Sequence, residues 1–188
     1  YLNDHVDGVL EVVIATHSHD NHIGGLIAVL SAFEVREIWH NNDISSSQTY
    51  AEFMAAVYAE GAEVRVGSRG KEIYVDKLTF TILNPTSLTG STNDNSIVLT
   101  LSYGEVDFLF TGDAEYAAEL SMLAAGIVPD VEVLKVGHHG SLTSSTPPFL
   151  ALVRPEIAIY MAAERNSHGI PNEKTITPLT QVGAEIYG

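Results

Sequence analysis

At 188 residues, the chain is long enough for one domain with a full-sized core, and 45% hydrophobic with 18% charged residues excludes a disordered or low-complexity polypeptide. Nine Lys and Arg against 24 Asp and Glu leave a net charge of −15, which excludes gripping a nucleic-acid backbone through protein charge alone. The acidic excess serves solubility, or gathers divalent cations that supply the positive charge an anionic substrate needs.

Val9 to Ala15 is a β-branched run of the kind a buried strand shows, and it ends in a histidine-rich turn. Ile23 to Phe33 reads as a helix with Leu26, Ile27, Leu30 and Phe33 on one face, and Val35 to Trp39 as a short strand. Tyr50, Phe53, Met54, Val57 and Tyr58 recur at the spacing of a second amphipathic helix. The middle changes character. Leu78, Phe80 and Ile82 alternate with threonines, and Ile97–Leu101 and Val106–Phe110 flank a Tyr103-Gly104-Glu105 turn, which predicts an antiparallel hairpin. The alternation of helix and strand then resumes: helix Ala114–Ala125, strand Val131–Val136, a helix opening near Pro147-Pro148, strand Ile157–Met161, a helix near Thr175–Val182 and a stub at Ala184–Tyr187. Gly61, Gly126 and Gly183 sit where helices end in left-handed caps. One domain over residues 1–188 is expected, with no repeat, no interdomain linker and one long polar loop, Asn84 to Asn95.

The chain has no cysteine, so disulfides, thiolate zinc sites and thiol nucleophiles are excluded. The longest apolar run, Ile157 to Ala163, falls far short of the roughly 18 residues of a membrane span. No membrane contact is expected from this segment itself. Tyr1 reads as a cut edge rather than a native start, and no signal segment opens the chain.

Six of the eight histidines lie in three short turns: His17, His19 and His22; His138 and His139; and His168. A lone histidine is ordinarily a surface or satisfied core residue, and His5 and His40 are read so. Three imidazoles within six residues, at the end of a rigid strand, point instead to metal ligation, since neutral imidazole suits zinc, manganese or iron. Gly24-Gly25 would let the next helix pass close to whatever the loop holds. Phe108-Leu-Phe-Thr-Gly-Asp113 puts a carboxylate at the end of a buried strand, with two readings, a group bridging two cations or the N-cap of the helix starting at Ala114. Ser145 and Thr146, ahead of Pro147, are natural helix caps.

His17-Ser-His-Asp-Asn-His22-Ile-Gly-Gly resembles the H-x-H-x-D-H signature of the metallo-β-lactamase superfamily, and Thr111-Gly-Asp113 resembles its later bridging-aspartate motif. Val133-Leu-Lys-Val-Gly-His138-His139-Gly-Ser141, with Ser144-Ser145 after it and Asn93-Asp94-Asn95-Ser96 before the hairpin, is similar to the soluble domain of ComEC-type DNA uptake proteins. The resemblance runs in consistent order from about Val9 to Tyr187.

The resemblance implies an α/β fold of the αββα sandwich type whose N-terminal strands are missing from this chain, and one or two divalent metal ions, zinc or manganese. His17 and His19 with Asp113 bridging would hold the first metal, and His22, Asp113 and His138 or His139 the second, with the Asn21 position facing it. Asp113, His139 and Asp20 are the candidate catalytic residues; Asn93, Asn95, Ser96, Ser141 and His168 are the candidate substrate contacts. Metal-activated water would attack a phosphodiester, in single-stranded DNA or another phosphoester, with the helix N-terminus at Ile23 favouring the phosphate. The chain departs from the pattern at Asn21, where the family has an aspartate, and at Ile170 in place of a late histidine, with His168 nearby. These departures motivate the rival expectation, a catalytically weakened metal- or nucleic-acid-binding module of a DNA uptake system. The parent implied is longer and bacterial, with this soluble domain attached to a membrane protein or secreted.

Overall fold

The computed structural model describes residues 2–6 and 8–188, so Tyr1 lies outside the described residues. The chain divides into two compact units, residues 1–67 and 68–188, at a point where the sequence carries no linker composition.

In the first unit, a short helix α1 (Leu2–His5) precedes β1 (Val9–Ala15), α2 (Asp20–Ala32), β2 (Glu34–His40), α3 (Gln48–Glu60) and β3 (Glu63–Val66). The three strands form a parallel sheet in the order β1-β2-β3. Parallel neighbours need a crossover, and α2 and α3 supply the two. Their apolar faces close one core of Val13, Ala15, Ile23, Leu30, Val35, Ile38, Phe53 and Val57. Ser47 caps α3, its Oγ accepting from the Tyr50 N–H at 3.1 Å, and Gly61 ends it at φ 76°. The strand β3 escaped the sequence reading because, although Glu63-Val-Arg-Val66 alternates, it is only four residues long and all four are exposed.

The second unit runs β4 (Glu72–Val75), β5 (Leu78–Asn84), β6 (Val98–Tyr103), β7 (Val106–Phe110), α4 (Tyr116–Ala124), β8 (Val133–Lys135), α5 (Pro147–Val153), β9 (Ile157–Ile159), α6 (Glu173–Gln181) and β10 (Glu185–Tyr187). Its seven strands pair in the order β10-β9-β8-β7-β6-β5-β4. The expected hairpin is β6–β7, with Tyr103 opposite Val106. Pairing is antiparallel from β4 to β7 and parallel from β7 to β10. Leu109, Leu134 and Ala158, from three adjacent strands, pack with Met122, Phe149, Leu150 and Leu179 of the helices in a second core. The architecture is the expected α/β class, two sheets flanked by helices.

Three helix starts differ from the sequence reading. Helix α2 begins at Asp20 rather than Ile23, because the His22 and Ile23 N–H groups already donate to the His19 carbonyl. Helix α6 begins at Glu173, capped by Asn172, whose Oδ1 accepts from the Lys174 N–H. Helix α4 begins at Tyr116, not Ala114, with Glu115 in extended conformation at its N-cap position. Asp113 is therefore not the cap. The cap comes from the polar loop, where Asp94 Oδ1 accepts from the N–H groups of Glu115 at 3.1 Å and Ala118 at 3.0 Å. Replacing Asp94 by alanine strands both donors, and we expect a loss of about 0.5–2 kcal/mol in denaturant unfolding; an unchanged midpoint and slope would remove Asp94 from this role.

Candidate functional site

In the first unit, the ladder of β1 ends at Ala15 and the chain turns through Thr16–His19 into α2. His17 is almost fully buried. Its Nδ1 lies 3.1 Å from Thr16 Oγ1, and its Nε2 lies 3.1 Å from His19 Nδ1. The His17 ring centroid is 4.1 Å from that of His22 and 4.8 Å from that of His19. The early start of α2 puts Asn21 and His22 in its first turn, so His22 leans back over His17 from a helical position. Three imidazoles packed this closely bring several ring nitrogens within reach of one cation.

The Asp20 carboxylate accepts from Ser47 Oγ at 2.7 Å and so ties the start of α2 to the cap of α3. Asn21 is exposed in that same turn. The glycine pair is not forced by crowding: a Cβ on Gly24 would make an ordinary 3.5 Å contact with Thr49, and one on Gly25 would meet nothing within 4 Å. His40 behaves as a structural histidine; burial pushes its pKa down, and its Nδ1 accepts from the Asn42 N–H.

In the second unit, β7 and β8 are parallel neighbours with Phe110 opposite Lys135, so the turns that follow them leave the sheet at the same end. Thr111 Oγ1 donates to the Lys135 carbonyl at 2.7 Å and binds the two turns together. Asp113 is 1% exposed, and its N–H donates to Ser96 Oγ. His139 Nε2 stands 3.4 Å from Asp113 Oδ2, and His138 Nε2 stands 3.9 Å from the same oxygen. On the far side, His139 Nδ1 meets the Met161 carbonyl at 2.7 Å, and His138 Nδ1 meets Glu115 Oε1 at 3.0 Å. A ring whose Nδ1–H donates to a carbonyl turns a bare Nε2 toward its other neighbour, the arrangement used by metal-ligating histidines. Asp113 raises the pKa of His139 above the ordinary imidazole value even though burial opposes it.

His138 and His139 both adopt left-handed backbone, φ 45° and 55°, within one tight turn, Gly137–Gly140. Such conformations cost about 1–3 kcal/mol each in non-glycine residues and persist only where the surroundings impose them. Here the His138 N–H donates to Gly112 O and its carbonyl accepts from Ser141 N–H, while Gly140, at φ 82°, has no room for a Cβ beside Pro171. Lys135, half-buried at the end of β8, donates to the Val136 carbonyl; burial pushes its pKa down, with Asp113 opposing.

Asn95 and Ser96 were among the expected substrate contacts. Asn95 and Ser96 are fully buried. Asn95 is bound to Thr89 through both ends of its amide, and Ser96 Oγ holds the Asp113 N–H, so they shape the loop instead of facing solvent. Asn93 donates to Glu115 Oε1 at 3.3 Å, Ser141 Oγ lies 3.0 Å from Thr143 Oγ1, and His168 is exposed on the loop between β9 and α6. The sequence reading passed over Glu115, which receives His138, Thr143 and Asn93 on one oxygen, and the Met161 carbonyl. The first stands only two residues beyond Asp113 and could have been weighed with it. The second is a backbone atom and carries no residue-type signal.

A family model of the metallo-β-lactamase superfamily matches residues 9–163. ComE operon protein 3 of Bacillus subtilis (strain 168) is 29% identical over 170 residues, covering 89% of this chain and 22% of that protein. Recombination protein 2 of Haemophilus influenzae is 31% identical over 165 residues, covering 87% of this chain and 19% of that protein. The chain thus spans about a fifth of the length of these curated relatives. Among solved structures, the metallo-β-lactamase fold protein YhfI from Bacillus subtilis is similar with a TM-score of 0.58 at 12% identity, over 95% of this chain and 74% of that one, a likeness of fold. With the histidine turn after β1, the carboxylate after β7 and the family match from Val9 onward, the chain belongs to the metallo-β-lactamase superfamily.

Proposed function

We propose that this chain is a metal-dependent hydrolase acting on phosphodiesters, with His17, His19 and His22 in one donor set and Asp113, His138 and His139 in the other. The observation that carries the reading is the buried Asp113 carboxylate with the Nε2 atoms of His138 and His139 turned toward one of its oxygens, each ring fixed from behind by a separate acceptor. The donor chemistry fits a divalent cation: imidazole nitrogen and carboxylate oxygen without sulfur suit zinc or manganese. A bound cation supplies Lewis acidity toward water and a phosphoryl oxygen.

The protein's own groups then have defined parts. The Met161 carbonyl holds the His139 tautomer, and Ser96 fixes the Asp113 backbone by accepting its N–H, so the buried carboxylate is held facing the two histidines. Glu115 holds His138 and Thr143 on one oxygen, leaving the Thr143 and Ser141 hydroxyls at the surface of the turn, where they can meet a phosphate. The first turn of α2 adds backbone N–H groups that favour an anion. The kinship with ComE operon protein 3 and Competence protein ComA supports a nucleic-acid phosphodiester, single-stranded DNA first, as the substrate. It also supports a longer parent protein as the setting, and among the described residues no helix is long and apolar enough to cross a membrane.

A second reading, a binding module that holds metal but cleaves slowly, is favoured by one observation. Asn21, in the helical turn beside His22, offers a neutral amide where the family pattern has a carboxylate.

Elemental analysis of the purified protein, paired with hydrolysis of a bis-aryl phosphate in zinc or manganese, separates the two. We expect bound metal and measurable hydrolysis, with His17→Ala or Asp113→Asn weakening metal binding by more than about 100-fold and abolishing turnover; metal-free protein, or hydrolysis that survives chelation, would sink the enzyme reading. Asn21→Asp is expected to raise occupancy from about one cation toward two and to increase the hydrolysis rate. Should the unmodified protein already hold two cations at low micromolar free metal, with the substitution changing neither quantity, Asn21 is not the limiting ligand.

A further inference from the structure

We propose that Glu119, in the middle of α4 and outside every motif singled out in the sequence, is a positioning residue for the His138–His139 turn. The proposal rests on the reading that this turn holds metal.

Glu119 is 2% exposed. Its Oε1 accepts from the Ser145 N–H, and its Oε2 accepts from the Thr146 N–H at 3.0 Å and from Thr146 Oγ1 at 2.6 Å. Burying a carboxylate is costly, and three converging donors offset that cost only while both oxygens accept. The result is a rigid Ser144–Ser145 segment, with Ser145 held at φ 55°. That segment touches both halves of the donor set. Ser145 Oγ accepts from the N–H of Gly137, the residue before His138, at 3.2 Å. Ser144 Oγ donates to the carbonyl of Ala114, the residue after Asp113, at 2.7 Å. The fit is close: a Cβ on Gly137 would stand 2.9 Å from Ser144 Cβ. A displacement of Ser144–Ser145 is therefore passed to the carboxylate turn and the histidine turn together.

A glutamine at 119 would place an amide N–H₂ against backbone N–H donors and strand at least one of them. The test compares Glu119→Gln with Val153→Ala, which loosens the other end of α5 by removing a buried side chain outside this network. Amide hydrogen exchange at Gly137 is read in the metal-free protein, zinc affinity by competition with a chelating dye, and melting alongside both. We expect Glu119→Gln to melt cooperatively, to exchange Gly137 about tenfold faster than Val153→Ala and to bind zinc about 10–100-fold more weakly, the range seen when a group supporting a ligand is lost. If Glu119→Gln does not fold, Ser145→Ala, which removes only the acceptor of the Gly137 N–H, takes its place with the same expectations. Exchange and affinity no different from Val153→Ala overturn the proposal, as does faster exchange with unchanged affinity. If the unmodified protein binds no zinc, the metal reading fails, and Gly137 exchange alone then decides whether Glu119 holds the turn.

Discussion

Parallel pairing of β7 with β8 is the constraint on which the second donor set depends. A parallel ladder aligns strand ends, so the backbone hydrogen bonds that place Phe110 opposite Lys135 also bring the turn containing Asp113 beside the turn containing His138 and His139. The strands here are short, three to five residues, and the side chains just beyond them are released from the alternation of the sheet at a well-fixed point in space. In the first unit the parallel pair β1 and β2 does the same for the histidine turn, which leaves the sheet immediately after Ala15.

What those turns need is cover for polar groups that the ladders no longer satisfy. Much of it comes from acidic side chains. Asp94 caps α4, Glu119 binds the Ser145 and Thr146 N–H groups just ahead of α5, Asp20 anchors the Ser47 cap of α3, and Glu115 gathers His138, Thr143 and Asn93. Charged acceptors make stronger bonds to N–H groups than neutral ones do and complement the positive ends of helices. Part of the net charge of −15 is therefore structural, placed at helix starts around the donor turns, and is not simply a solvated surface. The strain of two consecutive left-handed histidines is balanced by the same network.

Function follows from the asymmetry between the two sets of donors. The Asp113 set is supported on every side: Ser96 beneath the backbone, Met161 and Glu115 behind the rings, and the Ser144–Ser145 segment against both turns. The His17 set is packed ring against ring, but its helical turn ends in the exposed amide of Asn21. On the proposed reading, a rigid set suits a step that must hold charge in place, and the neutral amide would hold a second cation more weakly than a carboxylate. The curated relatives this chain matches are about five times as long as it.

The candidate donors were legible because His17, His19 and His22 are close in sequence and sit directly after a β-branched run, while Asp113 and His138 follow other strands that the pattern marks. Local periodicity likewise revealed the β6–β7 hairpin and the apolar face of α3, since each depends on neighbours in the chain. The sequence left Asp113 between cap and ligand, and tertiary structure removed the cap reading: the cap of α4 comes from Asp94, nineteen residues earlier in the chain, through bonds no local pattern encodes. The burial of Asn95 and Ser96, the carbonyl of Met161 behind His139 and the reach of Glu119 to Ser145 were decided the same way. Hydrogen bonds between distant segments depend on where the backbone brings donor and acceptor, and residue type alone does not specify that.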